Sequence, residues 1–236
     1  MSIDDGLARG FGPAARVVLR QAAEENDALT VSTWCGTLAR FGQLQAARAH
    51  FGTPADDGDL AAMKVMVWLA WEARLEDDAD RWLRRAAAER DPWAMYELGR
   101  SMRGPDGEAG DEAMRWYRAA AEAGYGLAMN DLGSVLNRAG ERDEAMRWYE
   151  RAAEAGIPIA MNNLAIQHIM QDQRPEAERW FKRAAGAGDV NAMANLGRLR
   201  REAGDAPGAE EWLTRAAGNG HTGAQETLAE MRRERQ

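Results

Sequence analysis

The side chains that could carry out catalysis or bind a metal are few and widely spaced. Three histidines, His50, His168 and His221, lie far apart in the sequence, and Cys35 is the single cysteine. A zinc site or an activated nucleophile needs such groups at recurring spacings, as in His-Glu-x-x-His. Neither that spacing nor a Walker A or nucleophile-elbow motif occurs. We therefore expect a protein that is not an enzyme, with no catalytic residue, metal site or cofactor.

One glycine-rich motif, Gly218, Gly220 and Gly223, spells Gly-x-Gly-x-x-Gly. A dinucleotide-binding motif of this kind follows a strand and opens a helix. Here a helical pattern precedes the glycines, and they coincide with a boundary between sequence repeats. The pattern favours a helix boundary over a nucleotide site.

The charge balance of the 236-residue chain limits its partners. It carries 30 basic and 38 acidic residues, a net charge of −8. A nucleic-acid or anionic-membrane binder needs excess positive charge, so neither partner is expected. The chain opens Met-Ser-Ile-Asp-Asp, without the pattern of a secretory signal, and no apolar run approaches a membrane span. We expect a cytoplasmic protein.

Internal repeats set the positions of the remaining candidate residues. Five tryptophans recur at intervals of 34, 32, 32 and 32 residues: Trp82, Trp116, Trp148, Trp180 and Trp212. A second phrase, such as Ala-Met-Asn-Asp-Leu-Gly at 128–133, starts at positions 62, 94, 128, 160 and 192. Two phrases in one register indicate a repeat of roughly 32 residues.

Each repeat predicts two helices. Leu132 and Leu136 are four residues apart and share one helix face, and Trp148, Tyr149 and Ala152 have the spacing of a second helix. The repeated Trp, Tyr or Phe and Ala side chains are expected to form the core. Five glycines are expected to end helices: Gly140, Gly156, Gly188, Gly204 and Gly220.

The first 60 residues are a degenerate version of this pattern. Residues 14–25 predict a capping helix, and a later helix is expected to stop near Phe51 because Pro54 follows. Asp59 is expected to cap the next helix. We predict one repeat domain over 1–236, with degenerate repeats and a cap in 1–60, regular repeats in 61–220 and a capping helix in 221–236. The turn at 104–110 is expected to absorb the two extra residues of the 34-residue interval.

The phrases resemble the tetratricopeptide repeat, and the ending Trp-Tyr-x-x-Ala-Ala-Glu-x-Gly at 148–156 resembles the Sel-one-like repeat more closely. The resemblance covers about 62–220. It implies an all-α fold, a right-handed α-solenoid of antiparallel helix pairs with about 14 helices. It also implies that the first helices line a concave groove and that the protein binds other proteins.

The tetratricopeptide arrangement places particular positions of each first helix in that groove. Four aromatic residues and four arginines that fall there are candidates for partner binding: Trp68, Trp71, Trp93, Tyr96, Arg100, Arg103, Arg198 and Arg201. Aromatic residues and arginine commonly anchor interfaces. We therefore expect a locally basic, aromatic groove that favours an acidic or hydrophobic segment of a partner. Alternatively, Trp68 and Trp71 pack against the irregular N-terminal repeat.

Asparagines form the second group of groove candidates. Asn130 and Asn162 can each bond a peptide's backbone donor and acceptor. Asn163 and Asn195 are alternatively explained by bonds to the adjacent repeat. Some tetratricopeptide relatives clamp a peptide carboxylate with Asn and Lys, but this chain lacks the lysines, which disfavours such a clamp.

The sequence thus predicts an interaction scaffold that binds a protein or peptide in its groove, as a monomer or weak homodimer. The alternatives are a self-associating structural component and a regulatory sensor of a small ligand or signal peptide. Replacing Trp68 and Trp71 together by Ala is expected to abolish partner binding with little change in melting.

Overall fold

The repeated phrases fold into successive helices. The computed structural model describes residues 11–104 and 109–234, and within those ranges it contains fourteen helices. They are α1 (Pro13–Glu24), α2 (Ala28–Arg40), α3 (Leu44–Asp56), α4 (Leu60–Glu72), α5 (Glu76–Ala88), α6 (Pro92–Ser101), α7 (Asp111–Glu122), α8 (Gly126–Arg138), α9 (Arg142–Glu154), α10 (Pro158–Met170), α11 (Arg174–Gly186), α12 (Val190–Glu202), α13 (Ala206–Gly218) and α14 (Thr222–Glu234). The predicted all-α repeat fold of the solenoid class is confirmed.

Over the described ranges, β-type backbone pairing is limited to one isolated bridge between Arg103 and Ala109. The bridge spans the predicted insertion turn, of which residues 105–108 lie outside the described residues. Among the fourteen helices, none has both the length and the hydropathy that a membrane span requires.

Contacts between helices divide the chain into two units, Met1–Tyr125 and Gly126–Gln236. The first unit contains α1–α7 and the second α8–α14. Within each unit every helix from α3 onward packs against its sequence neighbours. The sequence predicts a single repeat domain. It does not reveal the boundary at residue 125, because the repeated phrases are present on both sides of it.

The Leu-Gly phrase of the first helices permits close packing of each helix pair. A Cβ atom added to Gly133 of α8 would lie 2.9 Å from Cδ1 of Tyr149 on α9, and one added to Gly197 would lie 2.7 Å from Cγ of Leu213. Real Cβ contacts are not this short, so an L side chain would push the helices apart. The repeated glycine therefore allows the large side chain of the second helix to approach.

The core side chain of each second helix is the residue after the repeated tryptophan. Leu83, Tyr117, Tyr149, Phe181 and Leu213 are all buried, each with 3% or less of its surface exposed. Among the tryptophans, Trp82 and Trp148 are buried, whereas the other three are half-buried. The expectation that all five repeated tryptophans form the core was therefore wrong for Trp116, Trp180 and Trp212, which lie at the edge of their helix faces.

Helix ends follow the sequence signals closely. The five predicted glycines all have positive φ, between 78° and 91°, which costs glycine little. Asp59 caps α4 by accepting a hydrogen bond from the Ala62 amide at 3.0 Å, as predicted. Asp91 and Asp189 cap α6 and α12 in the same way. An aspartate three residues before the phrase alanine thus starts three of the first helices.

The helix at residues 44–56 corrects one prediction. It does not stop near Phe51 but continues through Pro54 to Asp56. Phe51 and Ala55 are both buried, four residues apart on the same face as Ala47. Packing of this face stabilises the last turn despite the missing amide hydrogen of Pro54, which lies only two residues from the helix end.

The N-terminal helices meet the regular repeats at a buried ion pair. Lys64 of α4 lies 3.0 Å from the Asp91 carboxylate, and both side chains are more than nine-tenths buried. Its Nζ also donates to the Ala23 carbonyl at 3.1 Å and to Oδ1 of Asn26 at 2.7 Å. Because the ammonium group has three protein acceptors, its burial is compensated. Lys64 thereby holds the end of α1 against α4.

Candidate functional site

Three predicted aromatic residues in the first unit form one cluster. Trp68 and Trp93 stack at 6.2 Å between ring centroids with an interplanar angle of 19°, and Trp71 meets Trp68 edge to face at 4.9 Å. Trp71 also meets Trp93 at 6.1 Å. Trp93 is buried, whereas Trp68 and Trp71 are half-buried. The repeat thus brings these three candidates together, but only two of them reach the surface.

The two half-buried tryptophans face different surroundings. Trp68 lines a small cavity with Ala23, Asn26 and Val31 from the N-terminal helices and their turn. The alternative of packing against the irregular N-terminal repeat therefore describes Trp68. Trp71, near the end of α4, instead lines an open pocket of 610 Å³ whose other lining residues come mainly from α5 and α6.

The charges around Trp71 correct the expected basic groove. Four carboxylates and two guanidinium groups line the pocket: Glu76, Asp77, Asp80, Glu97, Arg84 and Arg100. Arg100 is ion-paired with Glu97 at 3.0 Å, and Arg84 with Asp80 at 2.7 Å. Carboxylates therefore outnumber cations here, and Arg100 offers no free positive charge to an acidic segment.

Tyr96 and Arg103 complete the predicted set in the first unit. Tyr96 is 8% exposed, and its ring packs against Tyr117 at 5.9 Å and Tyr125 at 5.1 Å. Arg100 lies 5.8 Å from the Tyr96 ring centroid. Burial, assisted by the charge of Glu97, raises the pKa of Tyr125 to about 12. Arg103 is half-buried and forms the isolated backbone bridge with Ala109. Tyr96 and Tyr117 therefore belong to the core at the end of the first unit, and Tyr125 is half-buried at its edge.

Asparagines join neighbouring first helices in the second unit. Asn163 of α10 donates to Oδ1 of Asn130 on α8 at 2.9 Å, and Asn195 of α12 donates to Oδ1 of Asn162 at the same distance. Asn130 and Asn162 are 4% and 5% exposed. The predicted partner-binding asparagines are thus enclosed between repeats, and the alternative of bonds to the adjacent repeat describes Asn163 and Asn195.

An apolar cleft opens on the first helices of the second unit, between α10 and α12. Ile166, Ile169 and Met170 form one wall, and Phe181 of α11 lies at the base. The other wall is α12, which contributes Asn195, Arg198, Leu199 and Glu202, and Glu202 is ion-paired with Arg174 at 3.4 Å. The cavity measures 90 Å³. Ile169 and Met170 remain 37% and 58% exposed. The cleft has room for about one aliphatic side chain, which would cover the exposed isoleucine.

The two predicted arginines of α12 differ in their contacts. Arg198 is exposed at the rim of the cleft and donates to Oδ1 of Asn195 at 3.2 Å, without an ion pair to any carboxylate of the described ranges. Arg201 instead pairs with Glu230 at 3.4 Å and Glu234 at 2.7 Å, both on α14. Arg198 therefore presents a free cation next to apolar surface, and Arg201 ties α14 to α12.

Sequence reasoning did not single out the cleft. Ile166 and Ile169 fall at predicted groove positions. Their aliphatic side chains are neither aromatic nor polar, and the candidates were chosen among aromatic residues, arginine and asparagine. The feature of the sequence that could have predicted the cleft is the pair Ile166 and Ile169, three residues apart, together with Arg198, which occupies the position of Ile166 in the next repeat. Phe181 and Leu199 carry no such signal, because core residues recur at the same positions in every repeat.

The histidines and the cysteine have structural contacts. His168 Nδ1 lies 2.6 Å from Gln173 Oε1, His221 accepts from the Ala224 amide at 3.0 Å, and His50 packs on Phe51. Cys35 is fully buried, and burial, with the charge of Glu72, raises its thiol pKa to about 12. No group of metal-binding side chains occurs within 11–104 and 109–234.

Comparison with known proteins agrees with the helical repeat. A family model described as Tetratricopeptide repeat matches residues 127–155. A search of curated proteins finds no match. The crystal structure of a Sel1 repeat protein from Oxalobacter formigenes superposes with a TM-score of 0.71 at 24% identity, covering 85% of this chain and 89% of that one.

Two further solved structures share the fold. The protective antigen c5321 of uropathogenic Escherichia coli, with an SLR fold, has a TM-score of 0.62 at 21% identity over 90% of this chain and 55% of its own. Pseudomonas aeruginosa pilF has a TM-score of 0.62 at 15% identity over 89% and 99%. The chain therefore contains a tetratricopeptide repeat at 127–155 and has the fold of Sel1 repeat proteins. The predicted resemblance is confirmed.

Proposed function

We propose that this tetratricopeptide- and Sel1-like repeat protein is an interaction scaffold whose second unit binds a partner segment in the cleft between α10 and α12. Proteins of this repeat fold generally bind other proteins and are typically not catalysts. The cleft is the observation that supports this function most directly, because it combines open apolar surface with an unpaired cation on rigid helices.

The chemistry of the cleft defines the segment that fits. An aliphatic side chain of leucine size would enter between Ile169 and Leu199 and cover the exposed part of Ile169. Burying such a side chain contributes about 1.5–3 kcal/mol. A carboxylate next to it would meet Arg198 at the rim, where a charge-assisted hydrogen bond adds specificity. We therefore expect an aliphatic residue flanked by Asp or Glu.

The rigid stacking of the helices favours binding. Asn195, which holds Arg198 through its Oδ1, is itself bonded to Asn162 on the neighbouring first helix. A preorganised anchor loses little side-chain entropy when the partner arrives. The asparagine bonds thus support the cleft without touching the partner.

A random peptide display library tests this function because it offers the cleft segments of every side-chain chemistry at once. Wild-type protein is expected to select peptides in which an aliphatic residue is followed by Asp or Glu. Arg198→Glu is expected to replace the acidic preference by a basic one while keeping the aliphatic residue. Selection of the same peptides by both proteins, or of none by the wild type, would contradict the proposal.

A further inference from the structure

The repeated tryptophans of the second helices are covered by arginines in four of five repeats. The guanidinium carbon of the arginine three residues later lies 4.4–4.9 Å from the indole centroid in each case. The pairs are Trp82 with Arg85, Trp148 with Arg151, Trp180 with Arg183 and Trp212 with Arg215. At this distance the cation is attracted by the negative face of the ring.

Trp116 of α7 is the exception. The residue three positions later is Ala119, and no guanidinium of the described ranges lies over this indole. The side chain of Trp116 is half-buried, so part of its ring faces solvent. A cavity of 340 Å³ lies here and is lined by Trp116, Ala119, Glu112 and Arg115. The missing side chain has thus left an open space beside an indole face.

Two of the residues that precede Trp116 in the sequence also precede Trp148 and Trp180, whose rings are covered by an arginine. A glutamate stands four residues before the tryptophan and an arginine directly before it, as in the repeats of Trp148 and Trp180. In the Trp148 repeat the glutamate accepts a hydrogen bond from the indole Nε1 at 3.2 Å. Arg115 donates its Nε hydrogen to the Asp111 carbonyl at 3.3 Å. The tryptophan, the glutamate four positions before it and the arginine directly before it are therefore all present. Only the arginine three positions after the tryptophan is replaced, by Ala119.

We propose that Trp116 is a docking site for an arginine side chain of a partner protein, which supplies the guanidinium that Ala119 does not. The occupant follows from the other repeats, where the same surroundings hold arginine and leave room for its planar group. Guanidinium also stacks on indole more readily than a hydrated ammonium does. The site lies in the first unit and does not depend on the cleft between α10 and α12.

Fluorine NMR of the full chain labelled with 5-fluorotryptophan tests the site directly. The Trp116 and Trp180 resonances are assigned with Trp116→Phe and Trp180→Phe. Titration with Nα-acetyl-argininamide is expected to shift the Trp116 resonance in a saturable way and to leave Trp180 in place. The neutral isostere Nα-acetyl-citrullinamide is expected to leave both in place. An equal response to both compounds, or no response of Trp116, would overturn the proposal.

Two matched variants separate the site from general surface effects. Ala119→Arg restores the repeat pattern and is expected to weaken argininamide binding at Trp116 at least about threefold. Arg183→Ala opens the equivalent space in another repeat and is expected to make Trp180 respond. Failure of both variants would overturn the assignment. A Trp116 shift that follows protein concentration without added ligand would identify a second copy as the occupant and also overturn it.

Discussion

Asn195 donates a hydrogen bond from Nδ2 to Oδ1 of Asn162 at 2.9 Å, which links first helices one repeat apart. The acceptor is almost completely buried, so water cannot replace the donor. Asn163 and Asn130 repeat the same bond one step earlier. Asparagine at these positions therefore sets the register between neighbouring repeats, and one of the bonds also positions Arg198 at the cleft.

A double-mutant cycle should measure this link. Asn162→Ala removes the acceptor and Asn195→Ala the donor, and each variant leaves a polar group unpaired. We expect each single variant to lose about 1–2 kcal/mol of unfolding free energy and the pair to show a coupling of about 1 kcal/mol. Urea denaturation of the four proteins provides the values. Strict additivity would show that the bond contributes nothing to stability.

Two glycine substitutions should have opposite effects. Gly133→Ala places a Cβ 2.9 Å from the Tyr149 ring and should destabilise the protein by about 1–3 kcal/mol. Gly52→Ala, inside α3 with nothing within 4 Å, should stabilise it by about 0.5–1 kcal/mol. Thermal melting compares the two variants. Equal effects would contradict the close approach of α8 and α9.

Trp68 and Trp71 should differ in their effect on stability. Trp68 packs on the N-terminal helices, so Trp68→Ala should cost about 2–3 kcal/mol, whereas Trp71→Ala should cost about 1 kcal/mol because its ring borders an open pocket. Chemical denaturation measures both costs. The packing of Trp68 also replaces the sequence-based expectation of unchanged melting for the double variant by a clear loss of stability. Equal costs would show that the two rings are equally enclosed.

Cys35 should be unreactive in the folded protein. Burial raises its thiol pKa from 9.0 to about 12, so the thiolate fraction at pH 8 falls about a thousandfold. Reaction with Ellman's reagent should be slow without denaturant and rapid in urea. The folded form holds this proton more tightly, so the contribution to stability is complete below pH 9 and is lost as pH rises towards 12. Rapid reaction of the folded chain would contradict the burial of the Cys35 side chain in α2.

The sequence predicted the features that repeat and missed those that occur once. The helix pairs, the glycines at the helix ends and the Asp59 cap depend on residues that are close together in the sequence. A single sequence is therefore enough to predict them. The ion pair between Arg100 and Glu97 can also be predicted, because the two residues lie three positions apart on one helix. The hypothesis of a basic groove did not take this pair into account. Arg201 pairs with residues 29 and 33 positions later, which no local pattern indicates.

The N-terminal helices show the same limit for packing. Residues 13–24 form the predicted helix, but its placement against α4 depends on Lys64 reaching Ala23 and Asn26, about 40 positions earlier. That placement brings Ala23, Asn26 and Val31 next to Trp68. The cleft of the second unit likewise depends on Phe181 and Leu199, whose apolar character is shared with every core position.

The affinity of a selected aliphatic–acidic peptide for two matched variants tests the central claim most directly. Ile169→Ala removes an exposed side chain from the cleft, and Ile159→Ala removes the same side chain, 43% exposed, from the other end of α10. Isothermal titration should show binding about tenfold weaker for Ile169→Ala and unchanged for Ile159→Ala. Equal affinities for wild type and Ile169→Ala would show that the partner segment does not bind in the cleft.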